Sequence, residues 1–206
     1  AHAEEILGRQ EVQAIIDQVK QRAAAVVEEL IPNGLTVGGV QKVLQRLLSE
    51  RISIRDMVTI LETLADHAPA TRDVDTLTER VREALGRAIT QQYRDERGGL
   101  AVVSLDPALE QELIQALKAG DGGPRIYLPV EASRQLLEEV SRAVHQALAQ
   151  TSQPVILCSP YLRPYLRAFL VRALPHVPVL SYAEVVSAGT VKTVATVRVE
   201  HAPQAV

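Results

Sequence analysis

Cys158 is the residue of this chain whose position most resembles that of a reactive group. It stands where an apolar run ends and a helical pattern begins, and the positive end of a helix lowers the pKa of a nearby thiol. Arg163 follows after four residues, which is similar to the loop of a cysteine phosphatase. That chemistry needs a longer loop with small residues, so that backbone N–H groups surround the phosphate. We therefore interpret Cys158 as a buried structural cysteine, and a single cysteine excludes an internal disulfide.

The remaining residues with catalytic potential do not form a recognised pattern. No two of the five histidines have the three- or four-residue spacing that places two metal ligands on one helical face. The motif G-x-S-x-G does not occur, and the glycine pairs 38–39, 98–99 and 122–123 lack the pattern of a phosphate-binding loop. We therefore predict no catalytic residues, no metal and no cofactor. A small α/β enzyme of unknown substrate stays open as an alternative.

Composition and charge narrow the classes of partner. The chain has 206 residues, of which 47% are hydrophobic and 23% charged, with a net charge of −3. It has no apolar run long enough to span a membrane and no basic cluster, so we expect a soluble chain that binds neither nucleic acid nor a lipid surface. A helix-corner-helix pattern over 40–68 is compatible with DNA binding, but the polar side of its second helix carries Asp56, Glu62 and Asp66, which phosphate would repel.

The first half of the chain predicts helices only. Apolar residues recur at helical spacing over 4–31, 37–48, 54–64 and 76–93, and Pro32 ends the first of these segments. Ser53, followed by Asp56, predicts a capping box at the start of the third segment.

The second half alternates short β-rich runs with helices. Strands are predicted at 100–105, 125–128, 154–158, 177–181 and 192–199, with helices from 107 to 118, 129 to 150 and 161 to 174 between them. We therefore predict an α+β multidomain chain, in which an N-terminal all-α helical subdomain precedes a small α/β subdomain. Its sheet is predicted to be mixed, because a short loop joins the last two strands.

Seven ordered blocks resemble the cytoplasmic region of the flagellar and type III secretion export-gate family. They are Gly8–Gln13, Val27–Pro32, Val40–Ala68, Val81–Ile89, Leu162–Pro164, Leu166–Leu170 and Val179–Val185. The blocks extend over nearly the whole chain. The residues in these blocks resemble the flagellar branch of the family more than the virulence branch. A virulence secretion homologue stays open as the alternative.

The resemblance implies a function without bond chemistry. Members of the family receive export chaperones with their secreted substrates, contact other export-apparatus proteins, and assemble as a ring, usually of nine copies, below the export channel. They carry a membrane-spanning region before the cytoplasmic part, so we expect this chain to be a fragment from the cytoplasmic face of the bacterial inner membrane, linked to the membrane only through an absent upstream region.

The resemblance also predicts domain boundaries and site residues. Residues 1–22 correspond to the end of the first cytoplasmic subdomain, 23–98 to the helical subdomain and 99–206 to the α/β subdomain with a short tail. Gly8 and Arg9 are predicted to form a partial edge of the chaperone-binding pocket. The predicted ring contacts are charged residues of the helical subdomain, namely Glu50, Arg51, Arg55 and Arg87.

Overall fold

The chain divides into two compact units. The computed structural model describes residues 7–120, 123–186 and 188–199. One unit, here called the helical unit, is Ala1–Ile89, and the other, the α/β unit, is Thr90–Val206. The division lies nine residues before the predicted end of the helical subdomain at residue 98, and the three predicted boundaries stay predictions.

The helical unit contains six α-helices in its described part. They are α1 (Arg9–Lys20), α2 (Ala24–Glu29), α3 (Val37–Ser49), α4 (Met57–His67), α5 (Val74–Ala84) and α6 (Gly86–Gln91), with a π-helical turn at Leu30–Gly34 after α2. Side-chain caps begin three of them: Thr36, Asp56 and Asp73 each accept a hydrogen bond from the third backbone N–H that follows. These caps satisfy N–H groups that have no partner inside the helix.

Two predictions for this unit were wrong in detail. The first and fourth helical segments are each divided, at residues 21–23 and at Leu85, because periodic apolar residues identify the buried face but do not locate a local break. The capping box at Ser53 is also wrong. The Ser53 hydroxyl accepts a hydrogen bond from the Arg55 N–H, and the helix begins after Asp56.

The core of the helical unit is formed by the predicted apolar faces. Leu44 and Leu47 of α3, Leu61 and Leu64 of α4 and Leu77 of α5 have no exposed surface. Burial of such side chains is the dominant favourable contribution to folding, at about 1.5–3 kcal/mol for each. The two helices on either side of the predicted corner are therefore held by apolar packing.

The α/β unit is built on a parallel sheet of four strands in the order β5-β4-β1-β6. Its elements are β1 (Leu100–Leu105), α7 (Pro107–Gln115), β2 (Leu117–Lys118), β3 (Arg125–Ile126), α8 (Val130–Leu148), β4 (Val155–Cys158), α9 (Arg163–Leu170), β5 (Val179–Ser181), α10 (Tyr182–Val185) and β6 (Val191–Val197). Strands β2 and β3 form a separate antiparallel pair. The α+β class with an N-terminal helical part is thus confirmed.

The predicted mixed sheet is replaced by a parallel one. Strands β5 and β6 lie at opposite edges, so the short segment between them does not form a hairpin. It crosses about 14 Å, the width of three strand spacings, and the nine residues 182–190 are long enough to do so. The Leu100 N–H donates to the Thr190 carbonyl at 2.9 Å, so β6 enters beside the start of β1 and runs parallel to it.

Candidate functional site

The corner between α3 and α4 places an arginine in an unfavourable backbone conformation. Arg51 has a φ of +61°, in the left-handed region that favours glycine. Its N–H donates to Leu48 and that of Ile52 to Leu47, both at 2.9 Å, which is the hydrogen-bonding pattern of a Schellman helix end. Glycine usually occupies this position, so the chain accepts backbone strain here to carry an arginine side chain.

Glu50, one residue earlier, has its side chain directed into the helical unit. Its carboxylate Oε2 lies 3.0 Å from Nη1 of Arg82, a residue of α5 whose side chain is only 2% exposed. A guanidinium with so little contact with water needs a nearby negative charge, because an uncompensated buried charge is very costly. We therefore assign Glu50 to the stability of the helical unit, although it was predicted as a ring contact. A role of Glu50 in the ring stays a prediction.

The other predicted ring contacts lie on the surface. Arg51, Arg55 and Arg87 are exposed. Neither Arg51 nor Arg55 has an ion pair or a side-chain hydrogen bond to any residue in the described part of the chain. Two guanidinium groups with five donors each are thus presented to solvent at the corner.

A row of exposed side chains follows the same corner along α4. Val58, Glu62 and Asp66 stand four residues apart, which places them on one face of the helix. Both carboxylates lack an ion pair or a side-chain hydrogen bond within residues 7–120, 123–186 and 188–199. In the sequence, Glu62 and Asp66 served only as an argument against DNA binding. Their lack of ion pairs and side-chain hydrogen bonds to the described residues could be found only from the folded structure.

Gly8 and Arg9, the predicted pocket edge, lie at the N-terminal end of α1. Gly8 is the N-cap residue of α1, and the Leu7 carbonyl before it accepts hydrogen bonds from Gln41 and Gln45 of α3 at 2.9 and 3.1 Å. The Arg9 guanidinium lies over Gly38, where an added Cβ would be 3.3 Å from Nη2. The edge is therefore fixed against the first half of α3, with its one charged side chain exposed.

A cavity of about 340 Å³ lies at the far end of α4. It is lined by Glu29, Asn33, Gly34, Ala65, Ala68, Pro69, Ala70, Thr71 and Arg72. Small residues form most of its wall, while Arg72 donates to the Asn33 carbonyl at 3.2 Å. Its lining provides no nucleophile with an adjacent base.

The carboxyl ends of the parallel strands are the usual ligand site of an α/β sheet, and here protein groups fill it. Glu110 of α7 accepts a hydrogen bond from the Ser159 N–H at 2.6 Å, and its negative charge also acts on the Tyr182 hydroxyl. Burial, and next the negative charge of Glu110, raise the pKa of Tyr182. These three residues therefore connect the ends of β4 and β5 to α7.

Cys158 and Arg163 do not face a common ligand. Cys158 has no exposed surface, as predicted, and its thiol is 3.9 Å from the Leu180 carbonyl. Arg163 is 2% exposed and donates to the Val179 carbonyl at 3.4 Å. The arginine thus binds the backbone of β5. No group of three or more potential metal ligands occurs among the described residues.

The amino-acid sequence matches one family model over almost its whole length. The FHIPEP family model covers residues 1–190. The chain is 42% identical over 196 residues to the flagellar biosynthesis protein FlhA of Escherichia coli (strain K12), covering 95% of this chain and 28% of that protein. It is 38% identical over 196 residues to FlhA of Bacillus subtilis (strain 168), covering 95% and 29%. The chain thus spans less than a third of the length of these relatives.

Solved structures of type III secretion export-gate proteins have the same fold. A nonameric EPEC SctV-C structure aligns with a TM-score of 0.85 and 30% identity, covering 95% of this chain and 58% of that one. The Chlamydia pneumoniae CdsV and CdsO complex aligns with a TM-score of 0.86 and 26% identity, covering 95% and 57%. In the described part of the chain, no helix is both long and apolar enough to cross a membrane. The extent of the family match and these identities establish that the chain belongs to the FHIPEP family of flagellar and type III secretion export-gate proteins.

Proposed function

We propose that this chain is part of the cytoplasmic portion of a flagellar type III protein-export gate. It forms part of a ring below the export channel, at the cytoplasmic face of the bacterial inner membrane, and takes part in docking chaperone–substrate complexes. The observation that carries the ring assembly is the alignment of 95% of the chain with a subunit of a nonameric relative. The CdsV and CdsO complex supports a role for other export-apparatus proteins as partners.

The flagellar branch is favoured over the virulence branch. Identity is 42% and 38% to the two flagellar relatives, against 30% and 26% to the two virulence-system structures. Expression of the complete protein in a flagellar-gate deletion strain and in a virulence-gate deletion strain tests this assignment. We expect restored motility in the first strain and no restored secretion in the second. The opposite result would assign the chain to the virulence branch.

The function is binding and transfer of proteins, without bond chemistry. Glu110 binds the Ser159 N–H and its charge acts on Tyr182, at the sheet edge where an α/β enzyme would hold its substrate. This arrangement supports a structural role for the edge. A nucleotide or metal that raises the unfolding temperature of the chain would revive the enzyme alternative.

Ring assembly is assigned to the helical unit. Arg51 and Arg55 are exposed and form no ion pair with the described residues of their own chain, so they can bind a neighbouring copy without first losing such a contact. Arg87 is also exposed and remains a predicted contact. The mass of the chain in solution, measured by sedimentation velocity over a concentration series, tests the proposal. We expect reversible association, and a monomer at every concentration would contradict assembly through this chain.

Chaperone docking through Gly8 and Arg9 requires the part of the protein that precedes them. A pocket between two subdomains offers little buried area when one wall is missing, and association has its own entropy cost. We expect this chain to bind a flagellar export chaperone far more weakly than the complete cytoplasmic portion does, as measured by titration calorimetry. Equal affinities would place the docking surface elsewhere in the chain.

Variants of the complete cytoplasmic portion define the pocket edge further. Arg9→Glu should weaken chaperone binding, while Arg22→Glu, an equal charge change at another exposed arginine, should not. A Cβ at Gly8 would be only 2.6 Å from Oε2 of Glu11, so Gly8→Leu displaces that flexible side chain. Two variants separate this local clash from blockage of the pocket. One carries Gly8→Leu alone, and the other carries both Gly8→Leu and Glu11→Ala. Only blockage predicts that both variants bind weakly.

A further inference from the structure

We infer that Arg51 and Arg55 of one copy bind Glu62 and Asp66 of the next copy in the ring. The inference rests on the proposed ring assembly and adds the two surfaces that meet. Both pairs of side chains are exposed, and neither pair has an ion-pair partner among the described residues of its own chain. We call Arg51 and Arg55 the basic corner, and Val58, Glu62 and Asp66 the acidic row.

The basic corner is held in a conformation that the isolated chain does not favour. Arg51 is in the left-handed region at a helix end where glycine is free of strain. The backbone geometry would be kept, and the strain removed, by glycine. The presence of arginine is therefore explained by what its side chain binds.

The acidic row is also unfavourable within one chain. Glu62 and Asp66 repel each other, because side chains four residues apart are neighbours on a helix. Asp66 also lies in the last turn of α4, where the helix dipole disfavours a negative charge. A positive surface from another molecule would remove both penalties.

Asp66 lies far from the basic corner of its own copy. The basic corner precedes the start of α4 at Met57, and Asp66 is the residue before its end at His67. Nine residues of helix separate Met57 from Asp66 by about 14 Å, and the helix is rigid. Glu62 is closer to the corner, but it forms no ion pair with Arg51 or Arg55 in the described part of the chain. Contact of Asp66 with a basic corner therefore needs a second copy.

A ring requires this type of contact. Closed rings with more than two identical subunits use head-to-tail interfaces, in which two different patches of the same chain meet. The basic corner and the acidic row have opposite charge and are different patches. Val58, which is 36% exposed and stands four residues before Glu62, adds an apolar side chain to the row.

Two charge-reversal variants of this chain test the pairing. The acid-corner variant carries Arg51→Glu with Arg55→Glu, and the basic-row variant carries Glu62→Arg with Asp66→Arg. Each variant alone then brings like charges together, which is strongly unfavourable at an interface. We expect the dissociation constant for self-association, from sedimentation velocity at low salt, to rise about tenfold or more in each.

An equimolar mixture of the two variants provides the decisive measurement. In the mixture every contact between unlike chains joins opposite charges, so association should return although neither variant associates alone. The control is Arg22→Glu with Lys42→Glu, which lowers the net charge as much as the acid-corner variant does, at exposed residues outside both surfaces. We expect the control to associate like the unmodified chain.

The outcomes separate the pairing from the ring proposal. If the unmodified chain stays monomeric, both the ring assembly and the pairing are wrong. If it associates and the two variants associate equally well, or their mixture does not recover, only the pairing is wrong. The basic-row variant should also unfold at a higher temperature, because Asp66→Arg places a positive charge in the last turn of α4, where the helix dipole favours it. A variant that loses association but gains stability is not misfolded.

Discussion

Replacing Glu50 by alanine should destabilise the helical unit by about 3 kcal/mol. The Arg82 side chain is 2% exposed and its Nη1 is 3.0 Å from the Glu50 carboxylate, which is 17% exposed. Removal of one partner of a buried ion pair costs about 3–5 kcal/mol, because the remaining charge loses that partner and water does not replace it. The partial exposure of Glu50 places the expected loss at the lower end of that range.

The double variant Glu50→Ala with Arg82→Met separates charge from packing. Methionine fills part of the space of arginine without a charge, so the double variant should be more stable than Glu50→Ala alone by about 1 kcal/mol or more. Glu62→Ala is the matched control, since the Glu62 carboxylate is exposed and has no ion-pair or hydrogen-bond partner among the residues that the structure describes. It should change stability by less than about 0.5 kcal/mol.

Urea unfolding followed by far-UV circular dichroism measures these differences. Because the chain has two compact units, hydrogen exchange at the amides of α3 and α5 is needed to assign the loss to the helical unit. A change below about 0.5 kcal/mol for Glu50→Ala would refute the reasoning. Glu50 would then again be available as a ring contact.

Three further predictions concern single residues. Leu61→Ala should cost about 2–5 kcal/mol in urea unfolding, because Leu61 has no exposed surface; a loss below about 0.5 kcal/mol would contradict its place in the core. The hydrogen bond from the Thr76 N–H lowers the pKa of Asp73 in the folded chain. The contribution of ionised Asp73 to stability should therefore be present above pH 3.8 and be lost as pH falls through the lower folded pKa. Asp73→Asn should abolish this pH dependence, as measured by acid unfolding. Burial, followed by Glu110, raises the pKa of Tyr182, so its contribution to stability is present below pH 10.0 and is lost as pH rises through the higher folded value. Tyr182→Phe should remove one tyrosine that titrates above pH 10.0 from the ultraviolet titration, and an unchanged titration would disprove the assignment.

Apolar spacing predicted much of the core but not all of it, because Val58 shares the apolar spacing of α4 and is nevertheless 36% exposed. The faces containing Leu44, Leu61 and Leu77 were identified from helical periodicity, and all three side chains are fully buried. Burial depends on which face an element presents, and that face is encoded in every turn of a helix. The family resemblance added the function class, which periodicity does not contain.

Local breaks and sheet order could not be obtained in the same way. The interruption at residues 21–23 leaves the apolar pattern almost unchanged, so the sequence predicted one helix where there are α1 and α2. The direction of β6 depends on its position beside β1, at the edge opposite β5. That position is a long-range property, and a short connecting segment was misread as evidence for an antiparallel neighbour.

Glu50 and Arg51 show why charge alone did not separate stability from assembly. The two are adjacent, and in the sequence both were interpreted as surface contacts of one kind. The helix end between them reverses the direction of the chain, so Glu50 meets the buried Arg82 while Arg51 is directed to solvent. A substitution at Glu50 therefore changes the folded chain before it changes any assembly, whereas one at Arg51 can remove an intermolecular contact and leave the fold intact. Experiments on ring formation should accordingly use Arg51 and Arg55, and reserve Glu50 for measurements of stability.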